Sequence, residues 1–145
     1  MPFYARCVVW LFLVVTLDPS LAVSRDAPAE YDVIVIGGTP GGIASAVTAA
    51  RLGRTVALVE YHAHLGGMTT AGLGKTDVET PEAIGGLFRE FIDRVYADYV
   101  ARYGADSENV RLCKNGYYYE PSVAERILDG MVAAEQNITV YRRHR

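Results

Sequence analysis

The chain has 145 residues, of which half are hydrophobic and 21% are charged, and its formal net charge is −3. Such a chain can bury the core of one modest domain and is not disordered by composition. Basic residues cluster only at the end, at Arg142, Arg143 and Arg145, so the charge gives no support to nucleic-acid binding. We also expect no metal site.

The first residues differ from the rest of the chain. Met1–Arg6 is short and basic, Cys7–Leu17 is an uninterrupted apolar run, and Asp18–Ala22 is polar with small residues near its end. This order predicts a Sec-type signal peptide over residues 1–22, and therefore a secreted or periplasmic protein without stable membrane insertion after cleavage. The apolar run is shorter than the roughly 20 residues that span a bilayer. An uncleaved N-terminal membrane anchor remains the alternative.

Residues 23–30 are a polar linker without apolar periodicity, and we expect the folded domain to cover residues 31–145. Val33–Ile36 is continuous and β-branched, which is typical of a central strand covered on both faces. Pro40 favours the start of a helix that continues to about Leu52, and Thr55–Glu60 reads as the next strand. The three pieces form a β-α-β unit with parallel strands and a right-handed crossover, which places the chain in the α/β class.

The next segments are a loop and a helix. Tyr61–Val78 is rich in glycine and threonine and has no periodicity, so we expect an extended loop. Thr80 in capping position and Pro81 in the first turn predict a helix that reaches about Tyr103. Its apolar residues recur at helical spacing and indicate core packing: Ile84, Leu87, Phe88, Phe91, Val95 and Tyr99.

The last third of the chain reads as alternating short elements. Gly104–Asn109 is typical of a turn, and the aromatic residues of Gly116–Pro121 favour a short strand. A helix is predicted from residue 122 to about 135. Asn137–Tyr141 is then the third strand of the predicted sheet.

The turn after the first strand is the main functional signal. A dinucleotide fingerprint has the form G-x-G-x-x-G between a strand and a helix, with an acidic residue after the second strand. Here the pattern aligns as Gly37, Thr39 and Gly42, so a threonine replaces the second glycine. On spacing alone, a turn that only packs the helix against the strand remains an open interpretation.

Further features favour a phosphate cradle. Gly38 and Gly41 keep the turn free of side chains, Thr39 supplies a hydroxyl for a phosphate oxygen, and Glu60 ends the second strand where the ribose-binding acid is expected. The stretch "HLGGMTTAGLG" (His64–Gly74) follows directly, and its backbone amides and hydroxyls are suited to reach a cofactor from the other side.

These stretches, "DVIVIGGTPGGIASAVTAARLGRTVALVE" followed by "LGGM" and "GL", resemble the N-terminal FAD-binding segment of FAD-dependent oxidoreductases with a glutathione-reductase-type Rossmann fold. The resemblance covers Tyr31–Tyr141 and is most specific in Tyr31–Gly74. It implies FAD as cofactor, transfer of hydride or electrons at a flavin, and a Rossmann-like parallel sheet whose third strand lies beside the second, in the order 3-2-1.

The resemblance also implies the roles of individual residues. The pyrophosphate of FAD would be held by Gly37, Gly38, Thr39, Pro40, Gly41 and Gly42. The adenosine ribose would be held by Glu60. The pyrophosphate or the flavin side would be approached by Gly66, Gly67, Met68 and Thr69. His62 and His64 lie close by, either as solvated loop residues or in a flavin-linking or proton-transfer role.

The resemblance further implies an incomplete Rossmann sheet, because family members run to several hundred residues with a second cofactor-contacting segment and a substrate region. We therefore expect a second chain or a further C-terminal domain, and we predict neither catalytic residues nor a substrate. The expected function is that of the FAD-binding segment of a secreted oxidoreductase. Two alternatives stay open: a non-catalytic nucleotide-binding fragment, and half of an NAD-type dehydrogenase, against which the "LGGM" loop speaks.

Overall fold

A computed structural model describes residues Ala29–His144, and the predicted signal peptide lies outside these residues. Three parallel strands form one sheet: β1 (Val33–Ile36), β2 (Val56–Glu60) and β3 (Ile138–Arg142). Strand β2 lies in the middle, between β1 and β3. The predicted α/β class and the strand order 3-2-1 are confirmed.

Helices connect the strands. They are α1 (Pro40–Arg51), α2 (Gly86–Tyr103), α3 (Glu108–Leu112) and α4 (Pro121–Ala133). Short 3-10 turns occupy Gly67–Thr69, Pro81–Ala83 and Lys114–Gly116. Between Ala29 and His144, no helix is both long and apolar enough to cross a membrane.

Helix α1 begins where its sequence predicts. Pro40 occupies the first turn, where a backbone N–H has no helical partner to lose. The hydroxyl of Thr39 accepts a hydrogen bond from the N–H of Gly42 at 3.2 Å and so caps the helix. The helix ends at Arg51, one residue before the predicted end, and Gly53 follows in the left-handed conformation with φ of 79°.

The two faces of β1 differ. Val33 and Val35 pack against the core, whereas Ile34 and Ile36 on the opposite face are 63% and 86% exposed. The prediction of a central strand covered on both faces is therefore wrong for the described residues, in which β1 is an edge strand. The physical reason is topological: both crossovers run in the same direction along the sheet, and right-handed crossovers then place α1 and α4 on one face.

A guanidinium group ties three segments together at the end of α1. The Nη1 and Nη2 atoms of Arg51 donate to Glu90 on α2 at 2.8 and 3.1 Å, and its Nε donates to Glu135 after α4 at 2.7 Å. The carboxylates of Glu90 and Glu135 raise the pKa of Arg51 above its ordinary value. This bidentate geometry fixes the end of α1 relative to its neighbours.

The predicted helix from Thr80 to Tyr103 is interrupted near its start. Only one 3-10 turn follows Thr80, whose side chain makes no capping hydrogen bond, and Ile84 is extended with φ of −83° and ψ of 130°. Helix α2 begins afterwards at Gly86, which has φ of 59°. The adjacent glycines Gly85 and Gly86 destabilise a helix, so the helix is broken here although the apolar residues keep their helical spacing.

Two other short elements differ from prediction. The expected turn at residues 104–109 leads directly into α3, because the hydroxyl of Ser107 accepts the N–H of Val110 at 3.2 Å. The expected strand at residues 116–121 is absent from the described sheet. Among the described residues, the β pairing of this segment is limited to one isolated antiparallel bridge, between Tyr118 and Lys75. The backbone of this segment bonds instead to the loop that follows β2.

Candidate functional site: a cleft at the ends of β1 and β2

The turn after β1 depends on a close approach of α1 to the strand. A Cβ atom on Gly42 would clash with the carbonyl oxygen of Gly37 and would lie 3.4 Å from Cγ1 of Val35. A side chain at this position would push the first turn of α1 away from β1. The glycine is thus required by packing, which is the role of the third glycine in the dinucleotide fingerprint.

The first turn of α1 presents unpaired donors. The backbone N–H groups of Thr39 and Gly41 have no hydrogen-bond partner among the described residues, and Pro40 has no N–H. The positive end of the helix dipole lies at the same place, so the turn attracts an anion. Because the Thr39 hydroxyl accepts its capping bond, its own O–H remains free to donate to a phosphate oxygen.

Glu60 at the end of β2 is 7% exposed and is held by two backbone groups. Its Oε1 accepts the N–H of His62 at 2.7 Å, and its Oε2 accepts the N–H of Gly38 at 2.6 Å. The His62 N–H, followed by the Gly38 N–H, holds the pKa of this carboxyl below its ordinary value against the opposing effect of burial. An ionised carboxylate only accepts, and each oxygen keeps capacity for a ribose hydroxyl.

The loop after β2 lies against the turn after β1. The N–H of Gly66 donates to the carbonyl oxygen of Gly38 at 2.6 Å. A Cβ atom on Gly67 would lie 3.6 Å from both Cα of Thr39 and Cδ of Pro40. The two glycine-rich stretches of the sequence therefore form one continuous surface.

A cleft of about 570 Å³ opens on this surface. Its lining residues are Thr39, Glu60, His62, His64, Gly67, Thr70, Ala71 and Glu125. The side chains of His64 and Glu125 meet, with His64 Nδ1 2.5 Å from Glu125 Oε1. Two polar lining residues were not predicted from the sequence. Thr70 lies inside the stretch quoted above, and Glu125 has no local signal because α4 approaches the cleft only in the folded chain.

The predicted site residues do not all line the cleft. Thr39, Glu60 and Gly67 line the cleft, while the other glycines of the two loops and Pro40 form the backbone around them. Met68 does not line the cleft and is 76% exposed. Thr69 lies with Pro40 in the lining of a separate apolar pocket of about 100 Å³ between α1, α2 and α4. In residues 29–144 no cluster of His, Cys, Asp or Glu is arranged to hold a metal ion.

Comparison with known proteins bears on this geometry. The model of the family described as FAD dependent oxidoreductase matches residues 32–145. The chain belongs to this family. The match includes the turn, the cleft and all three strands, so the resemblance noted in the sequence is confirmed.

Individual relatives match over short parts of their own length. An NADH oxidase from Thermoanaerobacter brockii is 28% identical over an alignment of 122 residues, which covers 79% of this chain and 18% of that protein. A soluble pyridine nucleotide transhydrogenase from Mycobacterium tuberculosis is 51% identical over 39 residues, 27% of this chain and 8% of that protein. Among solved structures, THI4 from Thermovibrio ammonificans has a TM-score of 0.45 at 22% identity, covering 77% of this chain and 38% of that chain.

FAD is the cofactor of this family, and the cleft of this chain fits it. The free N–H groups and the dipole of α1 suit the two phosphates, and the ionised Glu60 suits the hydroxyls of a ribose. When bound, FAD would supply the redox chemistry, while the chain supplies binding and orientation.

Proposed function

We propose that this chain binds the adenosine diphosphate half of FAD in the cleft and serves as the cofactor-binding segment of a secreted FAD-dependent oxidoreductase. The observation that carries the proposal is the position of Glu60. Its buried carboxylate is fixed by the N–H of Gly38, next to the free N–H groups at the start of α1. A ribose acceptor and a diphosphate site therefore adjoin, as the two parts of a dinucleotide require.

Each part of the cleft has a distinct task in this proposal. The N–H groups of Thr39 and Gly41, with the Thr39 hydroxyl, bind the phosphates. Glu60 accepts hydrogen bonds from the ribose hydroxyls. Gly67 has no side chain, so the opposite wall of the cleft leaves room for the ligand to enter. Gly42 acts indirectly, because it allows α1 to start where its dipole faces the phosphates.

The substrate and the catalytic groups belong to another part of the enzyme in this proposal. The chain spans 18% of the length of the NADH oxidase it matches. Ile34 and Ile36 present an exposed apolar sheet face beside the unpaired edge of β1, and a further domain or a second chain would cover both. Export by the predicted signal peptide would give a mature protein that begins at Val23, which the intact mass of exported protein tests.

The binding test uses the purified chain titrated with FAD, riboflavin and NAD, with flavin absorption and fluorescence as readouts for the two flavins and titration calorimetry as the readout for NAD and FAD. We expect FAD to bind and riboflavin, which lacks the adenosine diphosphate half, to bind far more weakly. Tighter binding of NAD than of FAD would instead assign the cleft to a nicotinamide cofactor. An FAD affinity no greater than that of riboflavin would overturn the proposal.

A further inference from the structure

The cleft carries an unusual set of charges for a site that receives a diphosphate. The described residues that line it include two carboxylates, Glu60 and Glu125, and two imidazoles, His62 and His64, but no lysine and no arginine. The diphosphate of FAD carries two negative charges at neutral pH. With both imidazoles neutral, the side chains of the cleft would repel it, and only the start of α1 would attract it.

The ring of His64 is held in a defined position. Its Nδ1 contacts Glu125 on α4, while its Nε2 has no hydrogen-bond partner among the described residues, and the side chain is 71% exposed. Glu125 thus spans from α4 to the loop after β2 and sets the orientation of the imidazole. The free Nε2 remains available to a ligand in the cleft.

The other charged groups around His64 are less suited than His64 to bind a phosphate as a cation. Arg142 on β3 donates to the carbonyl oxygen of Ala63 at 2.8 Å but is paired with Asp129 on α4 at 2.8 Å. The ring of His62 lies edge-on to Tyr61, with 4.7 Å between ring centroids. Glu60 faces the cleft as an anion whose oxygens already accept backbone N–H groups.

We infer that protonated His64, oriented by Glu125, is a phosphate-binding residue of the cleft and makes FAD affinity dependent on pH. The inference rests on the proposed function, because it concerns the same cleft. Glu125 is a positioning residue: its carboxylate contacts Nδ1 of His64 and so aims Nε2. The sign follows from the charges, since the protonated ring attracts the diphosphate and the neutral ring does not, and FAD affinity therefore falls as the pH rises.

The test is a set of FAD titrations of the full chain between about pH 5.5 and pH 8, the range in which an ordinary imidazole titrates. The diphosphate of FAD does not change its charge in this range. For the unchanged chain we expect the Kd to rise about five- to tenfold across the range, the effect of one charge near the protein surface. His64→Gln should abolish this rise, and His64→Lys should keep the tight binding at both ends of the range.

Two further variants test whether the effect depends on the position of His64 in the cleft. His144→Gln removes a histidine that does not line the cleft, and it should retain the full dependence on pH. Glu125→Gln should weaken FAD binding at acidic pH, because the carboxylate that orients the ring is lost, and it should have no further effect in a chain that already carries His64→Gln. A purely structural role of Glu125 would weaken binding equally with and without His64→Gln.

The outcomes distinguish this inference from the function on which it rests. FAD binding that does not depend on pH, or a dependence that persists in His64→Gln and is lost in His62→Gln, would overturn the role of His64 and leave FAD binding in place. A chain that binds no FAD at any pH would overturn both.

Discussion

Glu60 Oε2 accepts the N–H of Gly38 at 2.6 Å, which joins the end of β2 to the turn that follows β1. The acid expected to bind a ribose therefore also supports the backbone of the phosphate cradle. Its removal affects the ligand and the fold together, and the two effects require separate measurements.

Glu60→Ala should lower the free energy of unfolding by about 1–3 kcal/mol, because the buried N–H of Gly38 and the partly buried N–H of His62 lose their acceptor. FAD affinity should fall as well, since the ribose loses its acceptor. Urea unfolding and FAD titration measure the two effects. Glu108→Ala is the control, because Glu108 is exposed and paired only with Arg111, and it should stay within about 0.5 kcal/mol. Unchanged FAD affinity in Glu60→Ala would remove Glu60 from the cofactor site.

Glu60 should also make stability depend on pH in the acidic range. The N–H groups of His62 and Gly38 lower the pKa of its carboxyl in the folded chain. Its contribution to stability is therefore complete above the ordinary glutamate pKa of about 4.3 and is lost as the pH falls through the lower folded-state pKa. The measurement is the difference in free energy of unfolding between the unchanged chain and Glu60→Gln, which should shrink as the pH falls. A constant difference would contradict the assignment.

Gly42→Ala and Gly130→Ala form a matched pair. At Gly42 the added Cβ would clash with the Gly37 carbonyl oxygen, whereas at Gly130 within α4 nothing lies within 4 Å. We expect Gly42→Ala to unfold or strongly destabilise the chain, and Gly130→Ala to stabilise it by about 0.5–1 kcal/mol through helix propensity. Thermal unfolding compares the two variants. Equal effects would mean that α1 does not approach β1 this closely.

Thr39 caps α1 through its hydroxyl, so Thr39→Ala should cost about 1 kcal/mol of stability. Thr39→Ser keeps the oxygen and should restore most of that loss. The same pair reports on the phosphate site, because Thr39→Ser should also retain FAD affinity. A serine variant that behaves like the alanine variant in both assays would show that the methyl group, not the hydroxyl, is the important part.

The unequal faces of β1 predict unequal responses to one substitution. Val35→Thr introduces a hydroxyl beside the core. It should lower the free energy of unfolding by about 1–3 kcal/mol, because the hydroxyl loses its hydrogen bonds to water. Ile36→Thr keeps a β-branched residue on a face that is already 86% exposed and should change stability by less than about 0.5 kcal/mol. A large cost at Ile36 would show that another part of the protein covers this face.

The elements predicted correctly are those with strong local signals. Helix α1 was predicted from Pro40 to about Leu52, and the structure places it at Pro40–Arg51, within one residue of these limits. The break before α2 was not predictable from the apolar period, which runs through Ile84 without interruption. Thr80 makes no capping bond, because Ile84 and Gly85 are extended and α2 begins only at Gly86, whose φ is 59°.

The candidate site was predictable on one side only. Gly38, Thr39 and Glu60 lie in a single β-α-β unit, and their proximity follows from the spacing of that unit. Glu125 is distant in sequence from this unit and reaches His64 because α4 packs beside α1 on the same face of the sheet. Contacts of this kind depend on the packing of whole helices, and no residue near Glu125 in the sequence signals them.

The contacts of Arg51 bear on how the cradle responds to its ligand. The guanidinium anchors the far end of α1 to Glu90 and Glu135, while Thr39 and Gly42 fix its near end. A helix held at both ends has little freedom to slide, so its free N–H groups are preorganised before any ligand arrives. The entropic cost of aligning these N–H groups is then part of folding and not of FAD binding. Hydrogen exchange in α1 should therefore change little when FAD binds.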